Sequence, residues 1–438
     1  MGRKPTSVGW IESWPREGAL MKSSRARYWV IFFAVTLAIL SYFDRVVMSQ
    51  AAKPISAELH LTKTQMGSVF SAFALAYAIF EVPSGWLGDY MGPRRVLVRI
   101  VLWWSTFTAL TGAAWSLGSL RVIQLLFGAG EAGGFPNLTK AFSSWLPMNE
   151  RSRAQGFMWT FGRWGGAFTP PIVILALHHM SWRWAFVCFG SLGVVWTFFF
   201  HRWFRDDPED HPSVNAAERE LLKSVSANAG GHGDVPWAKL IRHRSLWLIW
   251  VQYFCLSFPW YFYITWLPTY LQEYRHQTPE AASRLAILPL LFGGFGSLTC
   301  GLLAPRLAKS WGSMKRARRT IATFGFLAAA VLLFLSTRIE NAILGTLVLA
   351  CASFANDLDM PPSWNTCMDM GGKYAGTVAG SMNMMGNLAG FAAPWIAGVI
   401  LDRWRDWNLF FYVMIAMYLC GALCWPFIDP VTPIENTD

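Results

Sequence analysis

Charge is what this chain has least of. Only 14% of its 438 residues are Asp, Glu, Lys or Arg, against 54% hydrophobic, where soluble domains carry about 25% charged residues. So little charge cannot cover a surface in water. That excludes an ordinary soluble globule and implies an integral membrane protein, with the lipid bilayer as its solvent. Metal-site spacing is missing as well. The seven cysteines (Cys188, Cys255, Cys300, Cys351, Cys367, Cys420 and Cys424) fall in or beside apolar segments, with no CxxC or Cys/His pattern, and read as helix-packing residues. No Ser/His/Asp arrangement and no GxxxxGK[ST] phosphate loop is present, which argues against an enzyme and against drive by ATP; no cofactor is expected. Nor is there the apolar core of a signal peptide before residue 28. The net charge of +11 would suit nucleic acid, but the basic residues gather in alternate loops between apolar runs, so no such partner is expected.

What the chain does have is apolar runs of about 20 residues, the length that crosses a bilayer. They lie near 28–48, 66–88, 96–117, 119–141, 154–178 and 183–204, then near 246–271, 284–307, 320–337, 342–366, 375–400 and 408–428. Twenty-five Trp and 32 Phe supply the aromatic belts of bilayer interfaces. The layout predicts an all-α membrane protein of twelve transmembrane helices in two six-helix lobes. Its parts are an N-terminal tail (1–27), a first lobe (28–204), a polar linker (205–245), a second lobe (246–428) and a C-terminal tail (429–438). Within the linker, Asn215 to Lys223 reads as a short helix. Basic residues dominate the N-terminal tail, the linker and the loops holding Arg94 and Arg95, Arg151 and Arg153, and Lys315 to Arg319. Positive loops stay in the cytoplasm, so both termini are expected there, in a bacterial inner membrane. A monomer is expected.

Ionisable residues inside the runs are costly and functional by default, at about 2.5–3.5 kcal/mol each at the centre of a lipid-exposed helix. Asp44 and Arg45, in Tyr42-Phe-Asp-Arg45, end the first run. Adjacent helical residues point about 100° apart, so the pair cannot neutralise itself along one face. Glu131 lies in the fourth run, in Gly128-Ala-Gly-Glu-Ala-Gly-Gly-Phe-Pro136. Carboxylates in two spans imply a shared polar cavity. Arg45 is the first choice for a substrate-carboxylate clamp, because a guanidinium meets a carboxylate with two prongs and stays charged. Glu131 and Asp44 are the proton-coupling candidates, since burial favours the neutral carboxyl. Arg163 either neutralises one of these acids or contacts an anionic substrate. Trp260, Tyr261 and Asn387 offer further polar and aromatic partners. Asp357 and Asp359 lie just before Pro361-Pro362 in the tenth run, where a helix break frees backbone groups to line a cavity; either Asp couples protons or satisfies the broken helix.

The halves echo each other: Gly85-Trp-Leu-Gly-Asp-Tyr-Met-Gly-Pro-Arg-Arg95 follows the second run and Gly301 to Gly312 the eighth. The first stretch, Gly85-x-x-x-Asp89-x-x-Gly92-x-Arg94-Arg95, resembles the loop signature of the major facilitator superfamily. An ordered series resembles its anion:cation symporter family: Tyr42 to Arg45, Gly128 to Pro136, Trp145 to Arg151, Asp207 to Asn215, Trp266 to Tyr270, and Gly371 to Gly376 with Asn383 and Asn387. The resemblance implies a proton-coupled importer in which two lobes rock about a central site. It also implies that Tyr77, Trp364 and Asn383 line the site, while Asp89, Arg94 and Arg95 latch the cytoplasmic side. Two departures stand out. Tyr90 replaces a basic residue, and Gln124 stands where an Arg pairs with the first-span Asp, with Arg121 one turn earlier.

The expectation is therefore proton-coupled uptake of a small organic anion, a sugar acid such as a hexonate or hexuronate. The alternatives are another carboxylate, tartrate-like or aromatic, and a non-transporting membrane sensor. The sensor would need a signalling domain that a linker of roughly 40 residues is too short to fold.

Overall fold

A computed structural model describes residues 23–226, 235 and 237–434; the basic tail residues Arg3, Lys4, Arg16 and Lys22 and the stretch Gly230 to Gly233 lie outside them. All the regular structure among the described residues is helical. The first half comprises α1 (Arg27–Glu58), α2 (Lys63–Met91), α3 (Pro93–Thr111), α4 (Leu117–Glu131), α5 (Gly134–Trp145), α6 (Met148–His179) and α7 (Trp182–Trp203). The linker carries α8 (Ala216–Ser226) and α9 (Trp237–Arg242). The second half comprises α10 (Arg244–Thr265), α11 (Leu267–Glu273), α12 (Pro279–Trp311), α13 (Met314–Ser336), α14 (Ala342–Asp357), α15 (Met360–Gly371), α16 (Ala375–Trp404) and α17 (Trp407–Cys424).

Each half holds six spans. The fourth is the broken pair α4–α5, and the tenth the broken pair α14–α15. By length and composition alone, seven segments among the described residues are apolar enough to cross a membrane, one of them the 60-residue stretch that runs through α14, α15 and α16. The other spans carry internal charge, are cut into short helices or, like α10, are rich in Trp and Tyr. Phe198, Phe391 and Leu423 point outward, each at least two-thirds exposed, as helices apolar on every face do when lipid surrounds them. Prolines sit inside α1, α2, α10, α12 and α16, tolerated because neighbouring helices satisfy the freed backbone groups.

The two breaks position the site. After Glu131 the chain turns through Ala132 and Gly133, whose φ of 85° is left-handed, and restarts as α5. A Cβ at Gly133 would lie 2.2 Å from that of Ser84, so glycine is required on both counts. In the second half, Leu358 and Asp359 interrupt the tenth span just before Pro361 and Pro362. The two broken spans bring a carboxylate, Glu131 or Asp357, to the end of their first helix, partway along the span.

The halves meet through α6 against α12 and α2 against α16. Gly85 and Gly376 approach so closely that a Cβ on Gly85 would lie 2.4 Å from the Gly376 carbonyl oxygen. The linker docks on the first half. Buried Glu218 of α8 accepts hydrogen bonds from the Ser24 hydroxyl, the Ala26 and Arg27 amides and the Arg27 guanidinium, and Arg27 also pairs with Glu150 at 2.7 Å. His211 lies against Trp203 and Trp145, its Nε2 2.9 Å from the Trp203 carbonyl. All seven cysteines are free.

Candidate functional site

Between the halves lies a cavity of about 500 Å³, counting its open mouth. From the first half, Tyr42 and Arg45 of α1, Tyr77 of α2, Phe135 of α5, and Trp159 and Arg163 of α6 line it; from the second come Tyr253, Trp260 and Tyr261 of α10, Asn356 and Met360 of the broken tenth span, and Asn383 and Asn387 of α16.

Arg45 is boxed by aromatic faces, its Cζ 4.6 Å from the Tyr77 ring centroid, 5.6 Å from Phe73 and 5.8 Å from Tyr42. Such faces stabilise a guanidinium by about 0.5–2 kcal/mol each while leaving its N–H edge free. Its Nε donates to Glu131 Oε1 at 2.8 Å, and the Ser41 hydroxyl donates to the same oxygen. Arg45 Nη2 and Glu131 Oε2 are buried with no hydrogen-bond partner among the described residues. The pair is half-made: one prong is used, and Arg45 Nη2 and Glu131 Oε2 are spare.

Arg163 is fully engaged. Its Nε and Nη2 donate to Asp357 Oδ2 and Oδ1 at 2.8 and 3.2 Å, and its Cζ lies 4.3 Å from the Trp260 ring centroid. Asn356 donates to Asp357 Oδ1 at 2.9 Å. This ion pair joins α6 of the first half to α14 of the second, so Arg163 neutralises neither Asp44 nor Glu131. Asp44 is buried and, among the described residues, has no hydrogen bond or ion pair. Gln124 does not reach it: its amide donates to Thr111 Oγ1 at 3.3 Å, while Arg121 turns to Ser68 Oγ at 2.8 Å. Asp359 lies deeper, bonded to Ser363 at 3.2 Å.

Tyr261 donates to Asn387 Oδ1 at 3.1 Å, and Asn387 donates to the Asn383 carbonyl at 2.9 Å. Trp364 is fully buried one layer behind the wall, its indole donating to Tyr253 at 3.1 Å and its ring 5.2 Å from Trp159. Glu81 is not among the residues that the sequence reading singles out. It is fully buried one turn beyond Tyr77 on α2. Its Oε1 accepts from Asn383 Nδ2 at 2.5 Å, and Oε2 accepts from the Gly133 amide at 3.4 Å. The sequence signal was the spacing: a carboxylate at i+4 from Tyr77 inside an apolar run. Tyr42, Ser257 and Asn356 complete the polar lining.

Beyond the cavity, toward the ends of the spans nearest the linker, a ladder of contacts closes the molecule. Asp89 accepts from the Gly376 and Thr377 amides at 3.0 and 2.6 Å and from the Thr377 hydroxyl at 2.7 Å, with Lys140 3.5 Å away. Arg151 of α6 and Arg318 of α13 converge on Asp369 of α15. Arg94 turns to the linker and to its own half: its amide donates to Asp206 and its guanidinium to the His201 carbonyl. Arg95 and Arg99 are exposed, as are His178 and His179. On the opposite side of the cavity no cross-half hydrogen bond or ion pair occurs among the described residues.

Two broken spans, a polar cavity between halves and a seal on one side define a membrane transporter rather than an enzyme. The family model for the Major Facilitator Superfamily matches residues 34–394, and the chain belongs to that superfamily. It is 33% identical over 416 residues to the probable sulfoacetate transporter SauU of Cupriavidus necator, covering 94% of this chain and 96% of that one. It is 29% identical over 409 residues to the probable galactarate/D-glucarate transporter GudP of Escherichia coli, covering 88% and 90%. The same fold is seen in the proton:xylose symporter XylE, with a TM-score of 0.69 at 12% identity over 94% of this chain and 98% of that one.

Proposed function

We propose that the protein is a secondary active transporter that takes up a small organic anion together with protons. Its cavity is exposed alternately to each side as the halves 28–204 and 246–428 rock, with Asp89 as a latch on the inner side. The observation that carries this reading is the half-made Arg45–Glu131 pair beside an open mouth. Protonation of Glu131 releases the guanidinium, which then takes the substrate's carboxylate with both prongs; loss of that proton restores the pair and expels the anion. Binding and proton uptake are thereby linked at one contact.

A sugar acid is the leading substrate class. Asn383, Asn387, Tyr261 and Tyr42 offer amides and hydroxyls to a polyhydroxylated chain, and the relatives named for galactarate/D-glucarate and for D-galactonate support it. A second reading, a small acid with a second anionic group, is favoured by the relative named for sulfoacetate. The protein is read as a monomer in a bacterial inner membrane with both termini in the cytoplasm, supported by the basic loops.

The test is a thermal-shift series on purified protein with D-galactonate, galactarate, D-glucuronate, sulfoacetate, tartrate and uncharged galactose. At least one acid is expected to raise the unfolding midpoint and galactose to leave it unchanged. Arg45→Lys is expected to lose most of that shift, because an ammonium cannot make the two-pronged contact. Stabilisation by galactose as strong as by any acid counts against an anion carrier.

A further inference from the structure

Glu81 is a buried carboxyl that the Arg45–Glu131 exchange does not use. Among the described residues it has no ion-pair partner; its donors are the Asn383 amide at 2.5 Å and the Gly133 amide at 3.4 Å. The second donor exists because the α4–α5 break frees a backbone N–H. The titratable or charged groups facing Glu81 are Tyr77 on its own helix, Arg45 from α1, Glu131 from α4 and Tyr261 from α10; α5 and α16 present the neutral Gly133 amide and Asn383. Farther along α2, two turns toward the seal, come Asp89 and its neighbour Lys140. Arg45 is bonded to Glu131, so an ionised Glu81 would be a second negative charge beside one cation. Its main compensation would be a single amide, and that amide also lines the cavity.

We infer that Glu81 is a second proton-binding site, linked to the substrate through Asn383. When Glu81 is ionised it holds the Asn383 amide N–H. When it takes a proton it no longer needs that donor, and Asn383 turns to an oxygen of the bound acid. Coupling of this kind is reciprocal: a substrate that draws Asn383 away leaves ionised Glu81 with one long bond and so favours its protonation. The bond also ties α2 to α16 across the halves, so the proton state of Glu81 bears on the contact that must part when the inner side opens. No bond is made or broken other than O–H at the carboxyl; the proton comes from the side to which the cavity opens. This inference rests on the proton-coupled reading and extends it from one linked proton to two.

The test is the pH dependence of binding by purified full-length protein, using whichever of D-galactonate, galactarate or sulfoacetate raises the wild-type unfolding midpoint most. Each linked proton weakens binding about tenfold per pH unit above its midpoint. The wild type is expected to approach a hundredfold loss per unit, and Glu81→Gln, which mimics the protonated acid, about tenfold. Asn383→Ala keeps the carboxyl but cuts the link and is also expected to fall to about tenfold, which keeps the test sound should either variant fold poorly. Equal slopes in the wild type and both variants overturn Glu81 as a linked site and leave the proton-coupled reading standing. A wild-type affinity that does not change with pH overturns both.

Discussion

At the scale of single residues, two intramembrane carboxylates near Arg45 differ in what holds them. Glu131 has Arg45 and Ser41; Asp44 has no partner among the described residues. An uncompensated carboxylate in that setting is costly, whereas Glu131 has a cation to return to. Glu131→Gln is therefore expected to bind substrate within a few-fold of wild type and to exchange labelled substrate across the membrane. It should fail to accumulate substrate against a gradient. Counterflow and net uptake in proteoliposomes separate these outcomes. Accumulation that survives in Glu131→Gln and is lost in Asp44→Asn moves the coupling role to Asp44, the two acids titrating as a pair rather than singly. Asp44, Arg45, Glu131 and Arg163 were legible in the sequence because a charge inside an apolar run is conspicuous; Glu81 carries the same signal and was not singled out. Their pairing was not, since it depends on which helices face each other. Arg163 bonding to Asp357, 194 positions away, has no local signature, and Trp364 sits a layer deeper than its family position suggests.

At the scale of elements, helices of apolar sequence were easy to count and breaks were not. The Pro361-Pro362 interruption shows in the sequence because proline removes a donor and clashes with the preceding turn. The break at Gly133 hides inside Gly128 to Gly134, which reads equally well as a close-packing helix; only the positive φ and the nearness of Ser84 reveal it. The linker is the other element whose role emerges from packing. Burial pushes the Glu218 carboxyl up, but hydrogen bonds from Ser24, the Ala26 amide and Arg27 outweigh it and hold the group below the ordinary glutamate range. A lowered folded-state pKa stabilises above the unfolded value and loses that stabilisation as pH falls through the folded one. Glu218→Gln removes hydrogen bonds to a charged group, each contributing about 1.5–3 kcal/mol. It is expected to lower the unfolding midpoint by several degrees at pH 7. The gap to wild type should narrow below about pH 4 as the native carboxyl takes its own proton. A gap that is the same at pH 7 and pH 3.5 would mean that the charge of Glu218 does not secure the linker.

At the scale of the whole molecule, every cross-half hydrogen bond and ion pair among the described residues lies at the cavity or between it and the linker side. Asp89 with Thr377, Arg151 with Asp369, and the Gly85–Gly376 approach form the seal, while Arg163–Asp357 and Glu81–Asn383 span the halves at the cavity itself. For the cavity to face the other way these contacts must part, and those nearest the substrate depend on carboxylates that protons neutralise. The account therefore stands on protons and anion moving together. The direct measurement is uptake into proteoliposomes holding a pH indicator, with the outside acidic, no nucleotide, and the acid that binds best in the thermal-shift series. The account predicts accumulation above the outside concentration, with substrate-dependent acidification inside and collapse of both when a protonophore is added. Accumulation that follows a sodium gradient at equal pH, with no movement of protons, would contradict it.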